Sequence, residues 1–166
     1  FIQHPYIRFN NTDNKKTEFA IATSRLDFDK HTEIIVEANK KLKDKIRIYG
    51  AENRLYTYHK LKEVDAEWDK YYFGRFGNQY GDVFKLLNPT KYMVDMSAIK
   101  KDGGGSQYTF LEAWDSGCIV IFVENSNELV SLLQENKSYD YLIKQGYEEL
   151  EYFNGKKVAE LYLKVI

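Results

Sequence analysis

The sequence predicts a single α/β domain of the Rossmann-like kind, three layers deep, with helices on both faces of a parallel sheet. Short apolar runs of strand length alternate with longer stretches of helical periodicity, the pattern left when parallel strands are joined by helical crossovers. The chain has 166 residues, the size of one domain, and a chain of that length buries roughly 70% of its unfolded surface. No internal repeat, low-complexity tract or linker divides it, so residues 1–166 are expected to form one unit.

The first strand is Glu18 to Ser24, apolar in its middle. Asp29 then stands as N-cap of a helix from Lys30 to Leu42, in which Ile34, Ile35, Ala38 and Leu42 share one face. A second strand, Lys45 to Tyr49, ends at Gly50, and the next helix runs from about Asn53 to Val64. Tyr71 to Phe76 reads as a strand between the turn signals Gly74 and Gly77. A short helix, Asp82 to Leu87, stops at Asn88-Pro89. Lys91 to Met96 is strand-like, and Lys100 to Ser106 is a loop. A compact helix from Tyr108 to Ser116 ends at Gly117, a residue suited to a C-cap. Cys118 to Val123 is the most apolar strand, expected to be buried on both faces. Three helical stretches follow: Asn127 to Glu135, Tyr139 to Phe153 and Lys156 to Val165.

Composition excludes several functions. Twenty-four Lys and Arg balance 25 Asp and Glu, for a formal net charge of -1, which supplies no long-range field to gather nucleic acid or a membrane surface. No apolar run approaches the ~20 residues of a membrane-spanning helix, and Phe1-Ile2-Gln3-His4-Pro5 lacks a basic leader pattern. The single cysteine, Cys118, lies in an apolar run where a thiol behaves as a small hydrophobe, and a reducing, cytoplasmic setting is expected. Cys118 is therefore a poor nucleophile. His4, His31 and His59 are too scattered for a zinc site. Lys40, Lys41, Lys43 and Lys45 read as a solvated helix end with room for a polyanionic acceptor. Of the 14 Tyr and 10 Phe, most are expected in the core and at its rim, with a stacking surface for sugars or bases conceivable. Trp114 is expected to pack on the sheet. The chain opens without Met, which suggests a segment of something longer.

The chemistry is expected in one stretch. Gly103-Gly104-Gly105-Ser106-Gln107 sits between a strand and a helix, where exposed amides and the positive end of a helix dipole hold phosphates. No Gly-Lys-Ser/Thr follows, and Tyr108 breaks the G-x-G-x-x-G pattern, so it is neither a P-loop nor a dinucleotide fingerprint. A plain tight turn explains it equally well. Thr109-Phe110-Leu111-Glu112 has the form of a capping box. Alternatively, Glu112 is a carboxylate facing the loop that accepts hydrogen bonds from two ribose hydroxyls.

Thr109-Phe110-Leu111-Glu112-Ala113-Trp114-Asp115-Ser116-Gly117-Cys118-Ile119-Val120-Ile121 resembles the "LLEAMACGVPVI" signature of family-4-type retaining GT-B glycosyltransferases. Thr23-Ser24-Arg25-Leu26-Asp27-Phe28-Asp29-Lys30 resembles that family's "GRL...EKG" segment, and Ile46-Arg47-Ile48-Tyr49-Gly50 follows where an "IVG"-like strand is expected. The likeness covers roughly residues 17 to 137. It implies the C-terminal, donor-binding half of a GT-B fold, with residues 1–16 as the interdomain connection and 154–166 as a closing helix. Arg25 and Lys30 would neutralise the donor diphosphate and the charge of the departing nucleotide. Asp102, Gly103, Gly104, Gly105, Ser106, Gln107, Tyr108 and Thr109 would line the phosphates and sugar, and Glu112 would hold the ribose.

Two departures from the family stand out. Its usual acid eight residues before Glu112 is here Gly104, with Asp102 the nearest substitute. After Ile121 the chain runs almost directly into Ser126-Asn127, where the family has a loop and a further strand.

The resemblance implies transfer of a sugar from a nucleotide-diphosphate donor with retention, without metal or other cofactor, and with the donor phosphate assisting the acceptor. It also implies a missing N-terminal acceptor-binding domain. Asp27-Phe28-Asp29 is a literal D-x-D, which in GT-A transferases holds Mg²⁺ or Mn²⁺, but its place suits a turn and a cap. Two alternatives stay open: a viral or phage enzyme of GT-B fold that glycosylates DNA bases, for which salt-sensitive nucleic-acid binding is the mark, and a non-catalytic interaction module.

Overall fold

The computed structural model describes residues 5–9, 15–77, 79, 81–96, 107–123, 125–135, 140–154 and 156, with only the backbone of 107, 108 and 140. Four parallel strands, β1 (Glu18–Thr23), β2 (Ile46–Tyr49), β3 (Thr90–Val94) and β4 (Ile119–Ile121), lie in the order β2-β1-β3-β4. The register sets Ala20 beside Ile46 on one side and beside Tyr92 on the other, and Val94 beside Ile121.

Alternation along each strand divides the core into two layers. Ala20, Ala22, Ile46, Ile48, Tyr92, Val94, Ile119 and Ile121 meet α1 (Thr32–Lys41) and α6 (Ser126–Gln134) through Ile35, Val36, Leu129 and Leu133. Ile21 and Met93 point the other way, against α4 (Asp82–Leu87), α5 (Gln107–Asp115) and the end of α7 (Asp140–Leu150). Burying a side chain such as Ile21 or Met93 is worth about 1.5–3 kcal/mol. The predicted three-layer α/β/α arrangement is thus the observed one.

Several local readings are corrected. Asp29 does not cap α1. The helix begins at Thr32 behind His31, which is left-handed at φ 48°, ψ 37° and makes no side-chain cap. The helix predicted from Asn53 is present in three pieces, α2 (Arg54–Tyr56), a π-helical turn (Thr57–Leu61) and α3 (Lys62–Val64). Asn53 caps it by accepting from the amides of Leu55 at 3.1 Å and Tyr56 at 3.4 Å. Tyr71 to Phe76 is not a strand. Trp68–Tyr71 forms a 3-10 turn that buries Trp68 and Tyr71 in the core, leaving Tyr72 a single bridge to Ile48. Beyond the turn the chain still lies along β2, the Phe73 amide donating to the Ile48 carbonyl at 2.9 Å and the Gly50 amide to the Gly74 carbonyl at 3.0 Å, but the pairing goes no further.

Thr109 does not start α5, which begins two residues earlier, so the capping box does not form. Trp114 packs on α7: a Cβ at Gly146 would lie 2.6 Å from its ring. From Ile121 the chain passes to α6, capped by Asn125 accepting from the Glu128 amide at 3.0 Å, and the described residues hold no fifth strand. The helix expected at 156–165 lies outside the described residues, apart from residue 156. Among the described residues no helix is long and apolar enough to cross a membrane.

Of the predicted connection at 1–16, residues 5–9 pack on the domain itself. Fully buried Asp115 accepts from the Phe9 amide (2.6 Å), the Tyr6 hydroxyl (3.2 Å) and Arg8 Nε (3.3 Å).

Candidate functional site

β1 and β3 are neighbours, yet the segment leaving β1 turns to the α1 layer while the chain beyond β3 returns in α5 on the opposite layer. The strand ends therefore part at a topological switch point, the place where open parallel sheets bind ligands. Thr23 closes β1 and Asp95 follows β3, both buried. Each lies two residues beyond the paired Ile21 and Met93, on the α5 face. The Thr23 hydroxyl has no hydrogen-bond partner among the described residues. Sequence reading missed both residues, whose only signal is a polar side chain ending an apolar strand.

Arg25 and Lys30 leave this switch point on the turn between β1 and α1, and the structure brings them together. One oxygen, Asp29 Oδ2, lies 3.8 Å from an Arg25 guanidinium nitrogen and 3.3 Å from Lys30 Nζ. The Arg25 side chain is 65% exposed and the Lys30 side chain 10%. Arg25 also faces Asp27 at 3.8 Å. The D-x-D acids are therefore ion-paired to the two cations, and no cluster of three metal-ligating side chains occurs among the described residues.

The turn carrying these cations is clamped by the loop after β2. The Leu26 amide donates to the Ala51 carbonyl (2.8 Å) and the Asn53 amide to the Leu26 carbonyl (3.0 Å). Asn53 Nδ2 donates to Asp27 Oδ1 at 2.9 Å, and the Phe28 amide donates to the same oxygen at 2.9 Å. At the start of α1 the Tyr56 hydroxyl donates to Glu33 Oε2 (2.5 Å) and accepts from the Glu33 amide (3.0 Å), while His31 Nδ1 lies 3.4 Å from Glu33 Oε1. Burial, with the Glu33 carboxylate beside it, pushes the Tyr56 phenol well above its ordinary range. Asn53, Glu33 and Tyr56 are support residues that sequence reading did not find.

On the opposite layer, Thr109 and Glu112 lie on α5, both half-buried. The Glu112 side chain makes no hydrogen bond or ion pair among the described residues, and burial alone pushes its carboxyl up to about 7. A carboxylate that is desolvated and unpaired is poised to take a ligand's donors. Gln107 and Tyr108 are helical in backbone, and Asp102, Gly103, Gly104, Gly105 and Ser106 lie outside the described residues.

Three solved structures share this architecture. A pneumococcal O-GlcNAc transferase, solved with UDP and GlcNAc, is 18% identical over 98% of this chain, with a TM-score of 0.66. AviGT4, a glycosyltransferase of avilamycin A biosynthesis, is 15% identical over 98% of this chain, with a TM-score of 0.68. The C-terminal domain of a Francisella tularensis group 1 glycosyltransferase is 17% identical over 96% of this chain, with a TM-score of 0.53. The fold is that of one half of a GT-B glycosyltransferase. The GT-B half seen here spans 38% of the pneumococcal chain and 55% of AviGT4, but 95% of the Francisella domain. No protein-family model and no curated protein matches the sequence.

The other conspicuous groups of this GT-B half lie beneath the opposite end of the sheet. Cys118 Sγ donates to the carbonyls of Leu87 and Thr90, each at 3.2 Å, and burial pushes its thiol up to about 11. Lys16 Nζ stands beside it, donating to the carbonyls of Asn88 (2.9 Å) and Ser116. Of the basic run, Lys45 is spent on the carbonyls ending α1, those of Asn39 and Leu42.

Proposed function

We propose that this chain is the donor-binding half of a glycosyltransferase that transfers a sugar from a nucleotide-diphosphate donor, with retention of configuration and without a metal ion. The observation that supports this best is the convergence of Arg25 and Lys30 on a single carboxylate oxygen at the switch point. Two cations that meet on one anion can meet on another. A diphosphate in that place presents several anionic oxygens to a guanidinium open to solvent and an ammonium largely withdrawn from it.

As the bond from sugar to phosphate breaks, negative charge grows on the departing diphosphate. Cations already in position stabilise that charge without reorganising. The phosphate oxygen so held would take the acceptor's proton. Glu112 would accept hydrogen bonds from neighbouring ribose hydroxyls, which explains an unpaired carboxylate kept half out of water. Gly103, Gly104, Gly105, Ser106, Gln107, Tyr108, Thr109 and Asp102 would close the phosphate and sugar side. An acceptor domain would supply the other wall of the cleft.

The test is a melting panel with UDP, GDP and ADP and their sugars. A ligand that binds only the folded state raises stability by about 2.7 kcal/mol at a hundredfold excess over its Kd. One nucleoside diphosphate is expected to raise Tm saturably, and Arg25→Ala and Lys30→Met should each weaken that binding tenfold or more. Absence of any shift across the panel would falsify this reading.

A further inference from the structure

We propose that Asp29 is a built-in competitor for the anion at this site and holds down its affinity for phosphate groups; the inference rests on the donor-binding role of Arg25 and Lys30. Asp29 is not the helix cap its position suggests, because α1 starts three residues later behind His31. Its Oδ2 lies instead between the Arg25 guanidinium and the Lys30 ammonium. Asp27 shares only Arg25, through Oδ2 at 3.8 Å, while its Oδ1 is held by the Asn53 side chain and the Phe28 amide. Asp29 thus occupies the position an incoming anion needs.

Like charges exclude one another. One carboxylate oxygen of Asp29 touches both cations, so a phosphate oxygen that takes its place must displace Asp29, and the carboxylate, already about a third exposed, turns to water. The competitor therefore lowers the affinity of the site for orthophosphate and pyrophosphate alike.

The experiment uses the 166-residue chain with inorganic pyrophosphate and orthophosphate as probes, titrated by calorimetry with and without Mg²⁺. Asp29→Asn is expected to bind orthophosphate about two- to fivefold more tightly, the scale of one partly exposed ion contact. Pyrophosphate should gain as well, and Asp29→Glu should restore the parent's affinities. Melting curves check that each variant folds. If Asp29→Asn binds both probes no more tightly, while Arg25→Ala abolishes binding in the parent, the competitor is disproved and the donor site stands. If Mg²⁺ strengthens pyrophosphate binding and Asp29→Asn removes that gain, Asp29 is a metal ligand and the inference falls. If neither parent nor Asp29→Asn binds pyrophosphate, or Arg25→Ala and Lys30→Met make no difference, the donor-site reading fails and takes this one with it.

Discussion

Gly50 and Ser24 approach so closely that a Cβ on residue 50 would stand 1.7 Å from the Ser24 carbonyl oxygen. Gly50 is held there on both sides, its amide donating to Gly74 (3.0 Å) and its carbonyl accepting from the Tyr72 hydroxyl (2.7 Å). The contact lays the loop after β2 against the turn that carries Arg25 and Lys30. The geometry of the two cations thus depends on a residue that touches neither.

Gly50→Ala should force these loops apart. The clash is with backbone, which no rotamer change relieves, and overpacking of this kind costs about 1–3 kcal/mol. For a domain of this size the expected fall in Tm is roughly 3–10 °C. Hydrogen exchange should locate the damage at the amides of Leu26 and Asn53, which bond across the two loops. A variant that melts like the parent and keeps those amides protected would show that the loops yield freely.

Glu112 makes stability and ligand binding respond to pH in opposite directions. Burial raises its carboxyl from 4.5 to about 7 in the folded chain. Between those values the folded state holds a proton that the unfolded state has released, so its contribution to stability falls as pH rises through this window. Glu112→Gln should therefore match the parent near pH 4 and exceed it at pH 8, by on the order of 1 kcal/mol given that the side chain is partly solvated. Nucleoside diphosphate binding by the parent should strengthen as the carboxyl ionises toward pH 8, and the Gln variant should lose that dependence. Urea titrations and calorimetry at three pH values decide both points.

What the sequence revealed, and what it hid, divides by the range of the interactions. The apolar run within Glu18–Thr23 announces a parallel strand because its last four residues are buried on both faces, whereas Ile46–Tyr49, at the sheet edge, shows itself by alternation. Arg25 and Lys30 were singled out by resemblance to a family segment, and because both lie on one short turn they meet at Asp29. Asp29 and Thr109 were misread as caps because a cap signal is local, whereas Asp29 is claimed by two cations and α5 starts upstream of Thr109. The clamp from Gly50, Asn53 and Tyr56 was illegible, since its partners stand more than twenty residues away and a glycine needed for close approach looks like any turn glycine. Tyr71 to Phe76 misled because Tyr71 belongs to the turn before it and only Tyr72 to Gly74 bond to the edge strand β2.

Cys118 should be nearly inert in the folded chain. The thiolate is the reactive form, and a thiol pushed up to about 11 ionises scarcely at all at pH 8. Alkylation by iodoacetamide should run at least about a hundredfold slower than with a free thiol, and recover in urea. The nearby Lys16 ammonium opposes the rise. Lys16→Met should slow alkylation further while costing about 1–3 kcal/mol, because the Asn88 and Ser116 carbonyls lose their donor. Faster labelling in that variant would mean the thiol had become exposed.

Asp115 is the prediction with the largest expected effect on stability. Its carboxylate is fully buried and takes three donors from residues 6 to 9, while Arg8 continues to Glu151 at 3.6 Å and lies over the Tyr147 ring at 5.3 Å. Asp115→Ala removes the carboxylate that the Tyr6 hydroxyl, the Phe9 amide and Arg8 share, a loss of about 3–5 kcal/mol for breaking a buried ionic group. Asp115→Asn keeps the shape and one acceptor oxygen but loses the charge and the second acceptor, and should lose less. The distinguishing readout is local. Limited proteolysis should cut within residues 5–9 of Asp115→Ala at concentrations that leave the parent intact, because the segment is tied down by this carboxylate and by the Tyr6 amide bonded to Phe153. If the cleavage pattern is unchanged while Tm falls, Asp115 supports α5 alone and the first segment is held by its apolar contacts.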